Sequence, residues 1–123
     1  MEKVKTSRAP EAVGPYTQAI KSNGFLFISG QIPIDPHTGK IETFTIEGQA
    51  GQTFRNIRAI CEKAGTSIEK TVKTTCFLAD MRDFSKFNDV YTTYFPGLPA
   101  RSCVAVKSLP PQALCEVEAI VEL

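Results

Sequence analysis

A short apolar segment, FLFI at residues 25–28, is the feature that most constrains how this chain can fold. The turn signal Asn23-Gly24 precedes the segment and Ser29-Gly30 follows it, so the pattern predicts a β-strand. Because side chains on a strand alternate between two faces, this strand is apolar on both of them. The sheet that contains it therefore needs cover on two sides.

Two amphipathic helices are available to cover such a sheet. Apolar residues recur three or four positions apart over residues 46–64, and Gly65 is a natural helix stop. A second helix is predicted to begin after Asp80, which acts as its N-cap, and to end at Pro96-Gly97. Its apolar stripe consists of Phe84, Phe87, Tyr91 and Phe95 or Tyr94.

The remaining segments predict strands around these helices. The expected strands are residues 17–21, 25–30, 72–78, 102–107 and 114–122, of which we treat the last two as a hairpin. Residues 1–15 are expected to be irregular and residues 33–40 to form a loop. The order predicts an α+β fold with a single mixed sheet and both helices on one face. No linker or repeat interrupts the chain, so residues 1–123 are interpreted as one domain.

Two helices on one face leave the other face of the sheet open. FLFI is apolar on both faces, and TCFL at residues 75–78 nearly so. We infer a homo-oligomer in which another subunit covers the open face. The alternative is a monomer with a partly apolar exposed sheet.

Composition excludes several classes of protein. The formal net charge is +1, and no run of five like charges occurs, so we expect no nucleic-acid partner. The apolar runs are far too short for a membrane span, and the N-terminal residues lack the apolar core of a signal peptide. We therefore expect a cytoplasmic protein without a membrane partner.

The metal-binding and nucleophilic residue types are sparse. The only histidine, His37, lies in the turn-rich stretch DPHTGK, where an exposed loop residue is expected. No pair of cysteines has the CxxC spacing of a zinc or redox motif, so we expect no metal site. All of the cysteines are expected to be free thiols: Cys61, Cys76, Cys103 and Cys115.

The candidate chemistry lies in the last two strands. Arg101 begins one of them, and its planar guanidinium matches a carboxylate through two parallel hydrogen bonds. A surface arginine or a structural ion pair is the alternative. Cys103 points to the same side of the strand as Arg101 and is either a small packing residue or a thiol that lacks a nearby histidine base.

The final strand carries two carboxylates. Glu116 and Glu118 share the face opposite Val117. They form either a solvated stripe or, at a subunit boundary, a desolvated group with a raised pKa that can position water and exchange protons. Whether Glu116 and Arg101 face each other within one chain stays open, since the sequence does not reveal the hairpin register.

Two further positions can contribute to a pocket. Tyr16 follows Gly14-Pro15, and its hydroxyl either lines a pocket or belongs to an ordinary core or surface tyrosine. Ser29-Gly30 ends a strand, where a backbone amide can approach a ligand closely.

Taken together, the segments resemble a known family. GPYTQAI, FISGQIPIDPHTG, TFRNIRAICEKAG, KTTCFLADMRDFSKFNDVY, PARSCVAV and CEVEAIV occur in one order and at one spacing. This set resembles the Rid (YjgF) family over nearly the whole chain, and within it the RidA-type enamine/imine deaminases. The resemblance implies a chorismate-mutase-like fold, a homotrimer and active sites in the clefts between subunits.

The resemblance also implies roles for individual residues. The carboxylate-binding arginine of the family falls on Arg101 and its water-handling glutamate on Glu116. The remaining pocket positions fall on Tyr16, Ser29, Gly30, Asn88 and Cys103. Two features depart from the family pattern: the segment before PARS is short, only PGL, and Ala105 stands where many relatives have an acidic residue.

The activity implied by the resemblance is hydrolysis of 2-imino acids derived from 2-aminoacrylate or 2-aminocrotonate, which gives 2-oxo acids and ammonia. An iminium is already electrophilic, so we expect neither a cofactor nor a metal. Two alternatives stay open: an endoribonuclease that inhibits translation, and a non-catalytic binder of small 2-oxo acids.

Overall fold

A six-stranded mixed sheet with two helices on one face forms the body of the computed structural model, which describes residues 1–123. In chain order the elements are β1 (Glu2–Val4), β2 (Ala19–Ser22), β3 (Phe25–Gln31), β4 (Ile34–Asp35), β5 (Lys40–Ile41), α1 (Ile46–Ala64), β6 (Thr71–Leu78), α2 (Phe84–Tyr94), β7 (Ala100–Ala105) and β8 (Cys115–Glu122). Short 3-10 turns at Ile68–Lys70 and Met81–Asp83 precede β6 and α2. The α+β class and the placement of both helices are confirmed.

The strand order of the large sheet is β1-β2-β3-β8-β6-β7, and only the β6–β7 pair is parallel. The expected hairpin of the last two strands is wrong, because β6 lies between β7 and β8. The structure also adds β1 in the stretch expected to be irregular, and β4 with β5 as a separate two-stranded ribbon in the expected loop. These added strands have two or three residues each, too few for an alternating pattern to be recognised.

Helix α1 has the predicted bounds because both of its ends are capped. Thr45 Oγ1 accepts a hydrogen bond from the Gly48 N–H at 3.1 Å. At the other end Gly65 has φ +86°, a left-handed conformation that glycine adopts without strain. The Thr66 N–H then donates to the Cys61 carbonyl oxygen at 3.0 Å, which closes the last turn.

Helix α2 begins three residues later than an N-cap at Asp80 requires. The Asp80 carboxylate accepts from the Arg82 N–H at 2.9 Å and so caps the 3-10 turn rather than the α-helix. Of the predicted apolar stripe, Phe87, Tyr91 and Phe95 are buried, whereas Phe84 is exposed. The buried rings surround Phe54 of α1, with centroids 5.2–5.8 Å from it, and this aromatic cluster joins the two helices.

The sheet face that the helices leave open is partly apolar, as expected. Phe27 is 44% exposed and Val104 46% exposed, and Ile20, Phe25 and Ile120 are half-buried on the same face. No element of the chain covers these side chains. Neither helix is long and apolar enough to cross a membrane.

One buried polar side chain connects α1 to the start of β8. Gln49 is fully buried, and its Nε2 donates to the carbonyl oxygens of Thr43 at 3.1 Å and Gln112 at 2.8 Å. Its Oε1 accepts from the Leu114 N–H at 2.6 Å. This one amide therefore satisfies three backbone groups and holds the segment that leads into β8.

We predict that Gln49→Leu lowers the free energy of unfolding by about 2–4 kcal/mol, because three partly buried backbone groups lose the partner that the Gln49 amide provides. Urea unfolding monitored by circular dichroism measures the change. Lys63→Leu, at an exposed position on the same helix without a side-chain hydrogen bond, is the control and is expected to change stability by less than about 1 kcal/mol. Equal effects of the two substitutions would contradict the role assigned to Gln49.

Candidate active site

A bulge in β3 shapes the first group of candidate residues. Ile28 pairs with Ala119 and Gln31 with Val117, so Ser29 and Gly30 together stand opposite the single residue between those partners. Such bulges bend the strand and change the direction in which its side chains point. Here the bulge brings the Gly30 backbone against the side chain of Glu116.

Glycine at position 30 permits this close approach to the Glu116 side chain, and its φ is not in the left-handed region. A Cβ atom at residue 30 would overlap Glu116 Oε2 and lie 3.0 Å from Glu116 Cδ. The two predicted site residues, Gly30 and Glu116, are therefore in direct contact.

Glu116 is a partly desolvated carboxylate on the open face of the sheet. It is half-buried, and it makes no hydrogen bond or ion pair within the chain. Burial raises the pKa of Glu116 above its ordinary value, and the neighbouring charge of Glu118 raises it further. A carboxyl group with a raised pKa is suited to accept and return a proton near neutral pH.

Ser29 lies on β3 next to Gly30, and Tyr16 lies in the loop that precedes β2. Ser29 Oγ donates to the Thr17 carbonyl oxygen at 2.6 Å, and the Ser29 N–H donates to the Gln18 carbonyl oxygen at 2.9 Å. The serine hydroxyl proton is thus engaged within the chain, and Ser29 offers a ligand only its oxygen lone pairs. Its bonds hold the loop that carries Tyr16, whose side chain is half exposed.

These residues border a groove of about 730 Å³ on the open face. Tyr16 and Ser29 line it together with Phe27, Glu118 and Ile120. Glu116 lies two positions from Glu118 on the same face of β8, next to this groove. The groove is open to solvent and has both apolar and polar walls.

The second group of candidate residues surrounds Arg101 at the edge strand β7. Arg101 pairs with Thr74 of β6 and points to the helix side of the sheet. Its Nη1 donates to Asn88 Oδ1 of α2 at 2.8 Å. The guanidinium carbon lies 4.7 Å from the centroid of the Tyr91 ring and 5.4 Å from that of Phe84.

Arg101 has no carboxylate partner in the chain. The ion pairs within 4.0 Å are Arg8–Glu62 and Arg82–Asp80, both at the surface. A half-buried guanidinium with one hydrogen bond to a neutral amide retains unused N–H donors. This arrangement can bind an anion, and the structural ion pair considered from sequence is absent.

Cys103 follows Arg101 on the same side of β7, as the alternation predicts, and it pairs with Cys76 of β6. Burial raises the pKa of the Cys103 thiol, which the charge of Arg101 offsets only in part. A thiol with a raised pKa is a weak nucleophile, so Cys103 is suited to form a wall of the site.

All four cysteines are free thiols, and His37 is exposed in the connection between β4 and β5.

The predicted site residues thus form two separate groups. Tyr16, Ser29, Gly30 and Glu116 lie together at the open face, whereas Asn88, Arg101 and Cys103 lie at the β7 edge on the helix side. Because β6 separates β7 from β8, Arg101 and Glu116 do not face each other within one chain. No group of three or more histidine, cysteine, aspartate or glutamate residues is arranged to hold a metal ion.

The sequence pattern does not identify the residues that support Arg101. Periodicity assigns Phe84 and Tyr91 to the core stripe of α2, although the 84-88-91 spacing also places them on one helix face with Asn88. Thr74 carries no signal in the sequence, and only the parallel register of β6 with β7 places it beside Arg101.

Comparison with known proteins places this architecture in a family. The family model described as Endoribonuclease L-PSP matches residues 6–123. Reactive Intermediate Deaminase A, chloroplastic, of Arabidopsis thaliana is 43% identical over 99% of this chain and 66% of its own length.

Two solved structures extend the comparison. The conserved Rid family protein YyfA from Yersinia pestis is 47% identical, with a TM-score of 0.95 over 99% of this chain and 98% of that one. Escherichia coli TdcF is 38% identical, with a TM-score of 0.94 over 100% of this chain and 99% of that one.

The fold and the two groups of polar residues define a small α+β domain with a candidate anion-binding site. The chain belongs to the Rid (YjgF) family, whose model carries the Endoribonuclease L-PSP description.

We predict that Glu118→Gln lowers the pKa of Glu116 but leaves it above 4.5, its ordinary value, because burial is the larger cause of the shift. Titration of the Glu116 side-chain carbonyl by ¹³C NMR measures the value. Glu69→Gln changes the net charge equally but lies before β6, so it should leave the titration unchanged. A wild-type Glu116 that titrates at or below 4.5 would contradict the desolvation argument.

Proposed function

We propose that this protein is an enamine/imine deaminase that hydrolyses small 2-imino acids to 2-oxo acids and ammonia. The observation that carries the proposal is the state of Arg101. Its guanidinium rests on two aromatic rings, donates once to Asn88 and has no protein carboxylate within 4.0 Å. Its unused donors fit the carboxylate of a small substrate.

The second element of the proposal is Glu116. Its carboxylate is desolvated, has no partner in the chain and contacts the backbone at Gly30. In the proposed reaction it positions the attacking water and moves protons, while the Gly30 N–H stabilises charge that develops on the substrate.

The two groups require a second copy of the chain to form one site. We propose a homotrimer in which the β7 edge of one subunit meets the open-face groove of the next. An interface between two different surface patches closes into a ring rather than into a two-fold dimer. The exposed Phe27 and Val104 on the open face support such an interface.

Relatives support the class of substrate. The TdcF structure contains bound serine, a small molecule with a carboxylate and a 2-amino group. The Arabidopsis relative is named for the deamination of reactive intermediates. For the present chain, 2-iminopropanoate and 2-iminobutanoate combine the same carboxylate with an electrophilic C=N bond.

The reaction that we propose needs water as its only co-reactant. The enamine first takes a proton at C3 and becomes the 2-imino acid, and Arg101 orients the molecule through its carboxylate. Water then attacks C2 as Glu116 accepts one of its protons, which produces a carbinolamine. Glu116 returns that proton to nitrogen, the C–N bond breaks, and loss of the hydroxyl proton leaves the 2-oxo acid and ammonia.

We predict that Arg101→Ala abolishes the acceleration of 2-oxo acid release. A pyridoxal-phosphate serine or threonine dehydratase supplies the enamine, and oxo acid is followed with and without this protein. Loss of a bidentate charged contact weakens substrate binding by about 2–5 kcal/mol.

Light scattering and circular dichroism check that the Arg101→Ala variant keeps the assembly and the fold of the wild type. Full activity in a correctly assembled variant would refute the role of Arg101. Binding of pyruvate by the wild type without any acceleration would instead identify a non-catalytic binder of 2-oxo acids.

We predict that Glu116→Gln decreases turnover about 100- to 10,000-fold with a smaller change in substrate affinity, because the variant keeps the shape but cannot accept a proton. Gly30→Ala should decrease turnover about 100-fold, since its Cβ displaces the Glu116 carboxylate. Steady-state kinetics of both variants provides the measurement. Gly51→Ala on α1, where φ is not left-handed and an added Cβ would meet only the end of the flexible Arg55 side chain, serves as the control for loss of a glycine.

The family description names a second candidate, an endoribonuclease. Incubation of the purified protein with labelled RNA tests it. If the protein cleaves RNA, and if Arg101→Ala and Glu116→Gln both abolish the cleavage, the result would favour endoribonuclease activity at the same site.

A further inference from the structure

We infer that Tyr91 is a positioning residue that holds the Arg101 guanidinium in its substrate-binding orientation through the face of its ring. The inference rests on the proposed function. It extends that function from Arg101, which binds the substrate carboxylate, to the residue that orients Arg101. It concerns a buried tyrosine that the sequence pattern assigned only to the core.

Three elements meet at this point of the structure. Thr74 on β6 is the direct strand neighbour of Arg101 on β7. Its hydroxyl is hydrogen-bonded to the Tyr91 hydroxyl at 2.6 Å. The Tyr91 ring therefore reaches from α2 down to the strand pair, and the Arg101 guanidinium carbon lies 4.7 Å from its centroid.

The ring itself is held rigidly. Tyr91 is 4% exposed, and its ring lies 4.6 Å from that of Phe95 and 5.8 Å from that of Phe54, measured between centroids. Burial raises the pKa of its hydroxyl, which stays protonated and able to bond with Thr74. A ring fixed in this way presents one constant face to the arginine.

A stacked guanidinium is oriented without loss of its hydrogen-bonding capacity. The guanidinium carbon lies over the Tyr91 ring, and Asn88, one turn before Tyr91 on α2, accepts from Nη1. The other N–H groups have no hydrogen-bond acceptor in the chain and remain free for a carboxylate. The arginine is thus ordered before substrate binds, so binding does not have to order it.

Phe84 offers an internal comparison on the same helix face. Its ring centroid is 5.4 Å from the guanidinium carbon, and the residue is 37% exposed. The nearer and fully packed Tyr91 ring is therefore the principal support, and Phe84 is the weaker one.

The kinetic test compares Tyr91→Met with Tyr91→Phe in the coupled deaminase assay. Tyr91→Met fills the space but removes the ring, so KM is expected to rise about three- to thirtyfold while kcat stays within about twofold. Tyr91→Phe keeps the ring and loses only the bond to Thr74, so its KM should stay within about twofold of the wild-type value. Phe84→Met is expected to raise KM less than Tyr91→Met does.

A spectroscopic measurement on the wild-type protein makes the test independent of whether the variants fold. Ring currents from Tyr91 should shift the Arg101 Hε resonance upfield of the signals of Arg8, Arg55 and Arg82, whereas Arg58 lies over the Tyr94 ring and is not a reference. Arg101→Lys assigns the resonance by removing it, and Tyr91→Met should return it to the position of the three reference arginines.

Two results would overturn the inference. One is an Arg101 Hε signal without a ring-current shift in the wild type. The other is a folded Tyr91→Met variant with unchanged KM, or a Tyr91→Phe variant as impaired as Tyr91→Met. Failure of the proposed function has a different signature, since the wild type would then not accelerate oxo acid release at all, whereas the ring-current shift of Arg101 Hε would still be present.

Discussion

The packing of Phe54 against the rings of α2 is the interaction on which the rest of the site depends. Phe54 is fully buried on α1 and lies within 6 Å of Phe87, Tyr91 and Phe95. This aromatic cluster holds α2 over the sheet, and α2 is the crossover that makes β6 and β7 parallel. The same helix then presents Asn88 and Tyr91 to Arg101, so the core and the candidate anion site share side chains.

Neither candidate catalytic group has an oppositely charged partner within the chain. Arg101 is half-buried without a carboxylate, and Glu116 is desolvated without a hydrogen bond. Groups of this kind oppose folding and are retained where they act on a ligand. Their positions on opposite faces of the sheet agree with the proposal that neighbouring subunits complete each other's sites.

Much of the fold could be predicted because the signals are local. The bounds of α1 follow from its periodicity, a threonine cap and Gly65, and the two faces of β8 follow from alternation. The errors concern features with weak or non-local causes. Asp80 has the character of a helix cap but caps a 3-10 turn, and β1, β4 and β5 are too short to show a pattern.

Local patterns in the sequence were enough to predict the residue types of the site, the α+β class and the shared side of Arg101 and Cys103 on their strand. The position of β6 between β7 and β8, and the registers that point Arg101 and Glu116 to opposite faces, emerge only from the folded structure. The folded structure also brings Gly30 against Glu116 at the β3 bulge and places Tyr91 under Arg101. The physical reason is that side-chain alternation depends on neighbouring residues, whereas strand order and register depend on contacts between distant parts of the chain.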